Sequence, residues 1–327
     1  MRRAATALVA AGAVLAAAGW GGAVYVRHAL DAPGPLPEAR NVVVPRGGAE
    51  QVAMALAQDA VIARPLPFRL AALLTFRAGA LRAGEFAFPA QASLRTVLGV
   101  LRAGHTVQHH FTIPEGLTAR QIAVLLEHAE AATGSVTLPA EGSVLPETYA
   151  YSYGATRDSL LDRAHAALER TLRDEWAGRA PDLPLATPRE ALILASIVER
   201  ETARADERPH VAAVFLNRLR LGMKLQSDPT VVYGASGGLG ILDRPISHAD
   251  LNRDDPYNTY RIPGLPPTPI AAPGLASIRA VLQPVQSDDL YFVADGSGGH
   301  VFSRTLDEHT HNVARWRALG GAATELR

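Results

Sequence analysis

Residues 191–234 read ALILASIVERETARADERPHVAAVFLNRLRLGMKLQSDPTVVYG. From Ala191 to Val198 the run is almost wholly apolar, so a helix here is apolar all round and is expected to be buried on every side. Two acids, Glu199 and Glu201, close it at its polar end. A carboxylate beside such a run sits where desolvation favours the protonated acid, the form a general acid needs near neutral pH. Two residues apart on a helix are separated by about 200°, so the two acids cannot both face one cleft. Periodicity does not choose between them, because the preceding turns are apolar on all sides. On residue type alone, a Glu at a helix end is most often a solvated acid.

Outward from this stretch, Pro188 is expected to open the apolar helix, and a second amphipathic helix is predicted over 210–221, with Pro209 near its start. The string Ser-Asp-Pro-Thr within 226–233 is a turn and helix-start signal with Asp228 as the cap. A helix is predicted over 158–172 with Asp158 as its cap. Residues 290–294 and 300–303 read as strands joined by a hairpin at 295–299, and a closing amphipathic helix covers roughly 305–319. Upstream, short β-rich segments at 41–45, 85–89 and 111–114 each lead through a proline-marked or short turn into helices at 49–57, 93–102 and 118–129. Their irregular spacing argues against a solenoid. Helices mixed with short hairpins indicate an α+β fold rather than a parallel βαβ sheet.

Composition narrows the chemistry. The net charge is zero, so bulk electrostatics points to no nucleic acid or other polyanion. The absence of cysteine excludes a thiol nucleophile, disulfides and Cys-ligated zinc together. Arg2 and Arg3 precede residues 4–26, which carry no charge, and Arg27 follows. As a helix that stretch is about 34 Å long, enough to cross a bilayer core of about 30 Å. The expectation is a single-pass anchor in the cell (inner) membrane, with the N-terminus cytoplasmic and the rest on the outward, periplasmic face. The alternative is a cleaved signal peptide ending near Ala16-Ala17-Ala18. Residues 31–40, with three prolines and a glycine, read as a short stiff spacer.

The segments Ile-Val-Glu-Arg-Glu-Thr at 197–202, Leu-Gln-Ser-Asp-Pro-Thr-Val at 225–231 and Tyr-Asn-Thr-Tyr at 257–260, followed by the proline-rich 263–269, resemble those of the endolytic murein transglycosylases, the YceG-like family. The resemblance extends over nearly the whole chain. It implies an anchor (1–28), a linker (29–40), a small LysM-like βα subdomain (41–130) that contacts glycan or serves as a spacer, and a mixed α+β catalytic domain (131–327). It implies Glu201 as the catalytic acid, with Glu199 in a structural or supporting role. Gln226, Asp228, Thr230 and Tyr233 would line one wall of the cleft, and Tyr257, Asn258, Thr259 and Tyr260 the opposite wall. Asn217 and Glu147 complete the expected substrate-binding set. Tyrosine faces pack on pyranose rings, while Asn and Thr bind hydroxyl and acetamido groups. No metal or other cofactor is implied. The partners implied are peptidoglycan glycan strands, the membrane through residues 4–26, and penicillin-binding peptidoglycan synthases.

Two other readings compete: a glycan-binding or scaffold protein with a weak or silent site, and a muramidase-type hydrolase using Asp228 or Glu147 as a second carboxylate. Gly234-Ala-Ser236-Gly-Gly238 fits G-x-S-x-G, but a nucleophile elbow needs a strand before it and a helix packed after it, and a glycine-rich loop follows here. His309 and His311 with Glu308, and His109 with His110, are expected to be solvated rather than metal-binding, since two histidines do not fill a zinc site.

Overall fold

Alternate burial of Val42 and Val44 makes β1 (Arg40–Val44) a half-buried strand, as a period-two pattern requires. It pairs antiparallel with β2 (Gly84–Phe88), Val42 opposite Phe86, so Val42, Val44, Phe86 and Phe88 share one core. Helices α1 (Ala49–Gln58), α2 (Pro65–Leu74) and α3 (Leu94–Ala103) add Val52, Leu56, Phe68, Val97 and Leu101 to it. The computed structural model describes residues 27–318 together with Trp20 and Val24. Apart from those two residues, the expected span at 4–26 lies outside the described residues. No helix among the described residues is long and apolar enough to cross a membrane.

Contacts divide the chain into two compact units, Met1–His109 with Tyr151–Gly154, and His110–Ala150 with Ala155–Arg327. The chain passes between them along β3 (Gln108–Thr112) and β4 (Thr148–Ser152), which form a two-stranded sheet. The third βα element, β3 with α4 (Ala119–Glu127), packs mainly in the second unit. All described strands occur in two-stranded sheets, the third being β5 (Tyr291–Ala294) with β6 (His300–Ser303). With helices carrying most of both cores, the fold is mixed α+β.

The second unit is organised around α6 (Pro188–Glu201). Thr187 caps it by accepting a hydrogen bond from the Glu190 amide at 3.2 Å, and Pro188 occupies the first turn, where a missing N–H costs nothing. Every residue from Ala191 to Val198 is buried. The all-round apolar pattern is satisfied because α5 (Arg157–Ala177), α7 (Arg208–Arg220), α8 (Asp228–Ala235) and, beyond the short α9 (His248–Asn252) that touches α8, α10 (Leu275–Leu282) pack around it. Fully burying each leucine or isoleucine of this helix contributes roughly 1.5–3 kcal/mol, which pins the helix and therefore the position of its last turn. The β5–β6 hairpin closes where Asp295 accepts the Ser297 and Gly299 amides at 2.7 and 3.1 Å, and α11 (Leu306–Ala318) packs on it.

Two expected caps move by a residue or two. Thr156, not Asp158, caps α5 through the Ser159 amide at 3.2 Å, and Asp158 instead accepts from the Thr137 amide and hydroxyl. Ser227 is the cap position of α8, and Asp228 is its first helical residue, beside a proline that suits the first turn.

Candidate active site

Helix α6 ends at Glu201 because Thr202 turns to extended backbone. The glutamate reaches a cleft of about 460 Å³ within the second unit. It is lined by Phe215 and Arg218 of α7, Leu225, Gln226, Asp228 and Tyr260, by Tyr291 and Phe292 of β5, and by Leu306, His309, Thr310, Val313, Ala314 and Arg317 of α11. The Ser227 hydroxyl donates to Glu201 Oε2 at 2.9 Å. Ser227 is fully buried and fixed in turn: its amide donates to Thr259 Oγ1 at 2.9 Å, and its carbonyl accepts from Thr230 Oγ1 at 2.6 Å. The Thr230 and Thr259 hydroxyls lie 2.8 Å apart, and the Gln226 amide donates to the Thr259 carbonyl at 3.2 Å. A short network thus joins the Gln-Ser-Asp-Pro-Thr and Tyr-Asn-Thr-Tyr segments and sets the orientation of the Glu201 carboxylate. Gln226 sits at φ +51°, a left-handed backbone that non-glycine residues adopt rarely, and it does so at the rim of the cleft.

Glu199 goes elsewhere. Its carboxylate accepts from Arg208 at 3.2 Å and from the Gly274 amide at 3.0 Å, at the N-terminus of α10. Glu115 stands 3.6 Å from the same guanidinium. A Cβ at Gly274 would meet the Glu115 carboxylate, the far end of a flexible side chain that would have to move aside. Arg200, between the two acids, donates to the carbonyls of Gly116 at 3.2 Å and Gly240 at 3.0 Å.

The cleft's electrostatics follow from burial. Burial raises the Asp228 carboxyl above its usual value, against the Tyr260 hydroxyl that donates to it at 2.7 Å. Burial also lowers the Arg218 guanidinium, which donates to the carbonyls of Leu290 and Leu225, both at 2.7 Å, and lies 5.2 Å from the Tyr291 ring centre. His309 stacks on Tyr291 at 5.1 Å, with its Nδ1 buried and without a hydrogen-bond partner among the described residues. Burial, then the Arg218 charge, hold that imidazole below its ordinary value, so it is neutral at pH 7.

Of the residues singled out in the sequence, Glu201, Gln226, Asp228 and Tyr260 come together in the cleft, and Thr230 and Thr259 support it from behind. Asn217, Tyr233, Tyr257 and Asn258 have their polar groups engaged inside the fold. Asn217 donates to the carbonyls of Ser287 and Asp289 at 2.7 and 3.1 Å, tying α7 to the segment before β5. The Tyr233 hydroxyl donates to Glu141 at 3.0 Å, and its ring packs 4.7 Å from that of Tyr257. The Tyr257 hydroxyl is 2.8 Å from Thr268 Oγ1. Asn258 is a buried clamp that donates to the carbonyls of Asp250, Leu251 and Arg253. Glu147 is exposed before β4, outside the lining of this cleft. His309 departs from the solvated placement expected of it. Ser236 follows the end of α8, where its hydroxyl donates to the Tyr233 carbonyl at 3.1 Å and accepts from the Gly240 amide at 2.9 Å, so no strand–helix elbow exists there.

Residues 42–315 match the YceG-like family. The chain belongs to that family. It is 38% identical over 181 residues to an endolytic murein transglycosylase of Streptococcus pneumoniae serotype 2 (strain D39 / NCTC 7466), which covers 53% of this chain and 32% of the relative. It is 38% identical over 173 residues to an endolytic murein transglycosylase of Bacillus subtilis (strain 168), covering 52% of this chain and 46% of the relative. The matches thus span between a third and half of the length of these curated relatives. Among solved structures, a YceG-like protein from Listeria monocytogenes superposes with a TM-score of 0.53 at 28% identity, over 84% of this chain and 98% of the other.

In this YceG-like chain, the functional candidates that sequence reasoning missed are Ser227, Arg218, Tyr291 and His309. Ser227 lay inside the quoted polar loop but read only as turn chemistry. Arg218 is a charge on a mostly buried helix, which is a local signal for a partnered cation. Tyr291 and His309 meet only because α11 folds back on the hairpin, and no local spacing announces that.

Proposed function

We propose that the chain is a membrane-anchored endolytic peptidoglycan lytic transglycosylase, cutting between N-acetylmuramic acid and N-acetylglucosamine within glycan strands. The observation that carries this reading is Glu201. It stands at the end of a buried helix, oriented by Ser227, in a cleft whose volume suits saccharide units and whose walls offer the rings of Tyr260 and Tyr291. The family and the names of the relatives supply the substrate class.

In its protonated form Glu201 donates to the glycosidic oxygen as the bond to the muramic acid C1 breaks through an oxocarbenium-like state. The resulting carboxylate takes the proton of the C6 hydroxyl, whose oxygen bonds to C1 and closes a 1,6-anhydro ring. Proton and charge balance on one residue, and no water is consumed. An intramolecular hydroxyl held near C1 has a large effective concentration, which favours ring closure over hydrolysis. Tyr260, Tyr291 and Gln226 would pack on and hydrogen-bond to the sugars.

Residues 4–26 would hold the protein in the cell membrane with both units outside and the first unit as the LysM-like module; residues 31–40, expected as a spacer, are instead packed on that unit, with Leu36 in its core and Asp31 paired with Arg95 at 2.6 Å. A cutter placed there would act on nascent strands beside penicillin-binding synthases. Because Asp228 shares the cleft with Glu201, the hydrolase reading has a candidate second carboxylate and is tested in the same experiment. Peptidoglycan is digested with the detergent-solubilised full chain and the products are analysed by mass spectrometry. New 1,6-anhydro ends, abolished by Glu201→Gln, establish the lyase. New reducing ends establish the hydrolase, and folded protein that binds glycan without cutting it establishes the scaffold.

A further inference from the structure

Helix α2 (Pro65–Leu74) carries two opposed apolar faces. Phe68, Ala71 and Ala72 are buried in the first unit's core. Leu66, Leu70, Leu73 and Leu74 fall within an arc of about 100° on the other side. Those four and Phe76, just beyond the helix, are 52–68% exposed. A run of five large apolar side chains on one short exposed element exceeds the scattered exposure normal for a soluble surface. Between Asp59 and Glu85 the chain has Arg64, Arg69, Arg77 and Arg82 and no acid, although the whole protein has no net charge. The nearby Glu50 is paired with Arg69 at 3.2 Å, and the Arg77 guanidinium lies 6.0 Å from the Phe76 ring centre.

The position of this face says what covers it. Arg64 and Pro67, at the start of α2, line the same small cavity as Ala29 and Ala32. The helix therefore begins next to the residues that follow the apolar stretch 4–26, where the chain would leave the bilayer. We propose that the Leu66–Leu70–Leu73–Leu74–Phe76 face docks on the anionic lipid surface from which residues 4–26 emerge. The inference rests on the anchor proposed above and extends it: the first unit lies on the membrane as well as being tethered to it. Leucine and phenylalanine enter the boundary between headgroups and acyl chains, and the arginines meet the lipid phosphates. A second copy is the poorer occupant, because a two-fold contact would set this segment, with four arginines and no acid between residues 60 and 84, against itself.

Because the chain contains no cysteine, single labels can be placed in the full-length protein. Leu70→Cys and Leu73→Cys carry the test, and Leu138→Cys, at an exposed leucine of the second unit, is the control. Each variant is reconstituted into phosphatidylglycerol–phosphatidylethanolamine vesicles, floated, spin-labelled, and read by power saturation against oxygen and a water-soluble nickel chelate. The expected result is an oxygen-to-nickel accessibility ratio several-fold higher at 70 and 73 than at 138, unchanged when the protein is diluted in lipid. Water-exposed labels at 70 and 73 on protein that floats overturn the docking and leave the anchor standing. Protection that disappears on dilution, with short distances between labels on different chains, assigns the face to a second copy and overturns the proposal. Wild-type protein that does not float overturns the anchor, and the docking with it.

Discussion

Glu199 and Glu201 leave the same last turn of α6 and end in opposite surroundings. Glu199 enters a closed nest, where it accepts from Arg208 and from the amide that opens α10, with Glu115 sharing the same guanidinium. Its side chain is only 5% exposed. Glu201 opens on a cleft, where the Ser227 hydroxyl donates to it. The first arrangement holds a carboxylate in place inside the fold; the second presents one to a space that a substrate can enter. The roughly 200° between the two positions is what lets one turn of helix serve both.

The sharpest way to break this comparison is to neutralise each acid. Glu201→Gln keeps the shape and removes the transferable proton, so cleavage should fall by about 10²–10⁴-fold, the usual contribution of a positioned acid–base group, with the thermal midpoint nearly unchanged. Product release followed by mass spectrometry and unfolding followed by circular dichroism read the two quantities separately. Glu199→Ala should do the reverse at the level of the fold. Removing the buried carboxylate leaves Arg208 with only the more exposed Glu115 at 3.6 Å and should cost up to about 3–5 kcal/mol. Glu199→Gln, whose single amide oxygen can keep only one of the two hydrogen bonds, should lose less stability than the alanine variant and largely keep the cleavage products. A Glu199→Gln protein that folds like the parent yet loses all cleavage would dissolve the distinction between the two acids.

How far this was legible in the sequence differs between two sets of cleft residues. Glu201, Gln226 and Asp228 follow from a continuous apolar helix and an adjoining polar loop, both local patterns. Tyr291 and His309 meet through α11 folding back against a hairpin, a tertiary event that leaves no periodicity. Similar limits explain the polar residues that do not line this cleft. Asn217, Tyr257 and Asn258 look like sugar-binding groups by type, but buried backbone carbonyls and a threonine hydroxyl already engage them. In the first unit, β1, β2, α1 and α3 were readable from alternation and helical spacing. Helix α2 was not read from sequence, because Pro65, Pro67 and apolar residues on both faces blur its period; α10, a short apolar segment after a proline-rich loop, was missed likewise.

A smaller effect sharpens how Glu201 is held. Ser227→Ala removes one hydrogen bond to the carboxylate without touching its charge. With a net worth of about 1–1.5 kcal/mol, the loss should appear as roughly a tenfold lower kcat, with KM little changed. Ser227→Thr should restore part of the rate if its hydroxyl reaches Glu201, and a drop confined to KM would mean that Ser227 serves the substrate instead.

The smallest effect separates the cleft from the nest by pH. Burial lifts the Asp228 carboxyl in the folded protein above the value of about 3.9 expected when unfolded. A raised folded value means that the folded state binds the proton more tightly. The stabilisation is then complete below the unfolded value and is lost as pH rises through the folded one. Asp228→Asn should therefore gain stability relative to the parent as pH rises from about 4 through the raised value, and the gain should level off above it. Tyr260→Phe deletes the hydroxyl that favours the charged form, so it should move that window to higher pH. Thermal midpoints of parent and variants across that range provide the test, and a difference independent of pH would show that Asp228 is not desolvated in the fold. The same variant bears on the chemistry. If Asp228→Asn still yields 1,6-anhydro ends, Glu201 needs no second carboxylate and the substrate's own hydroxyl is sufficient as nucleophile; if cleavage stops in a stable, folded protein, the cleft works with two acids.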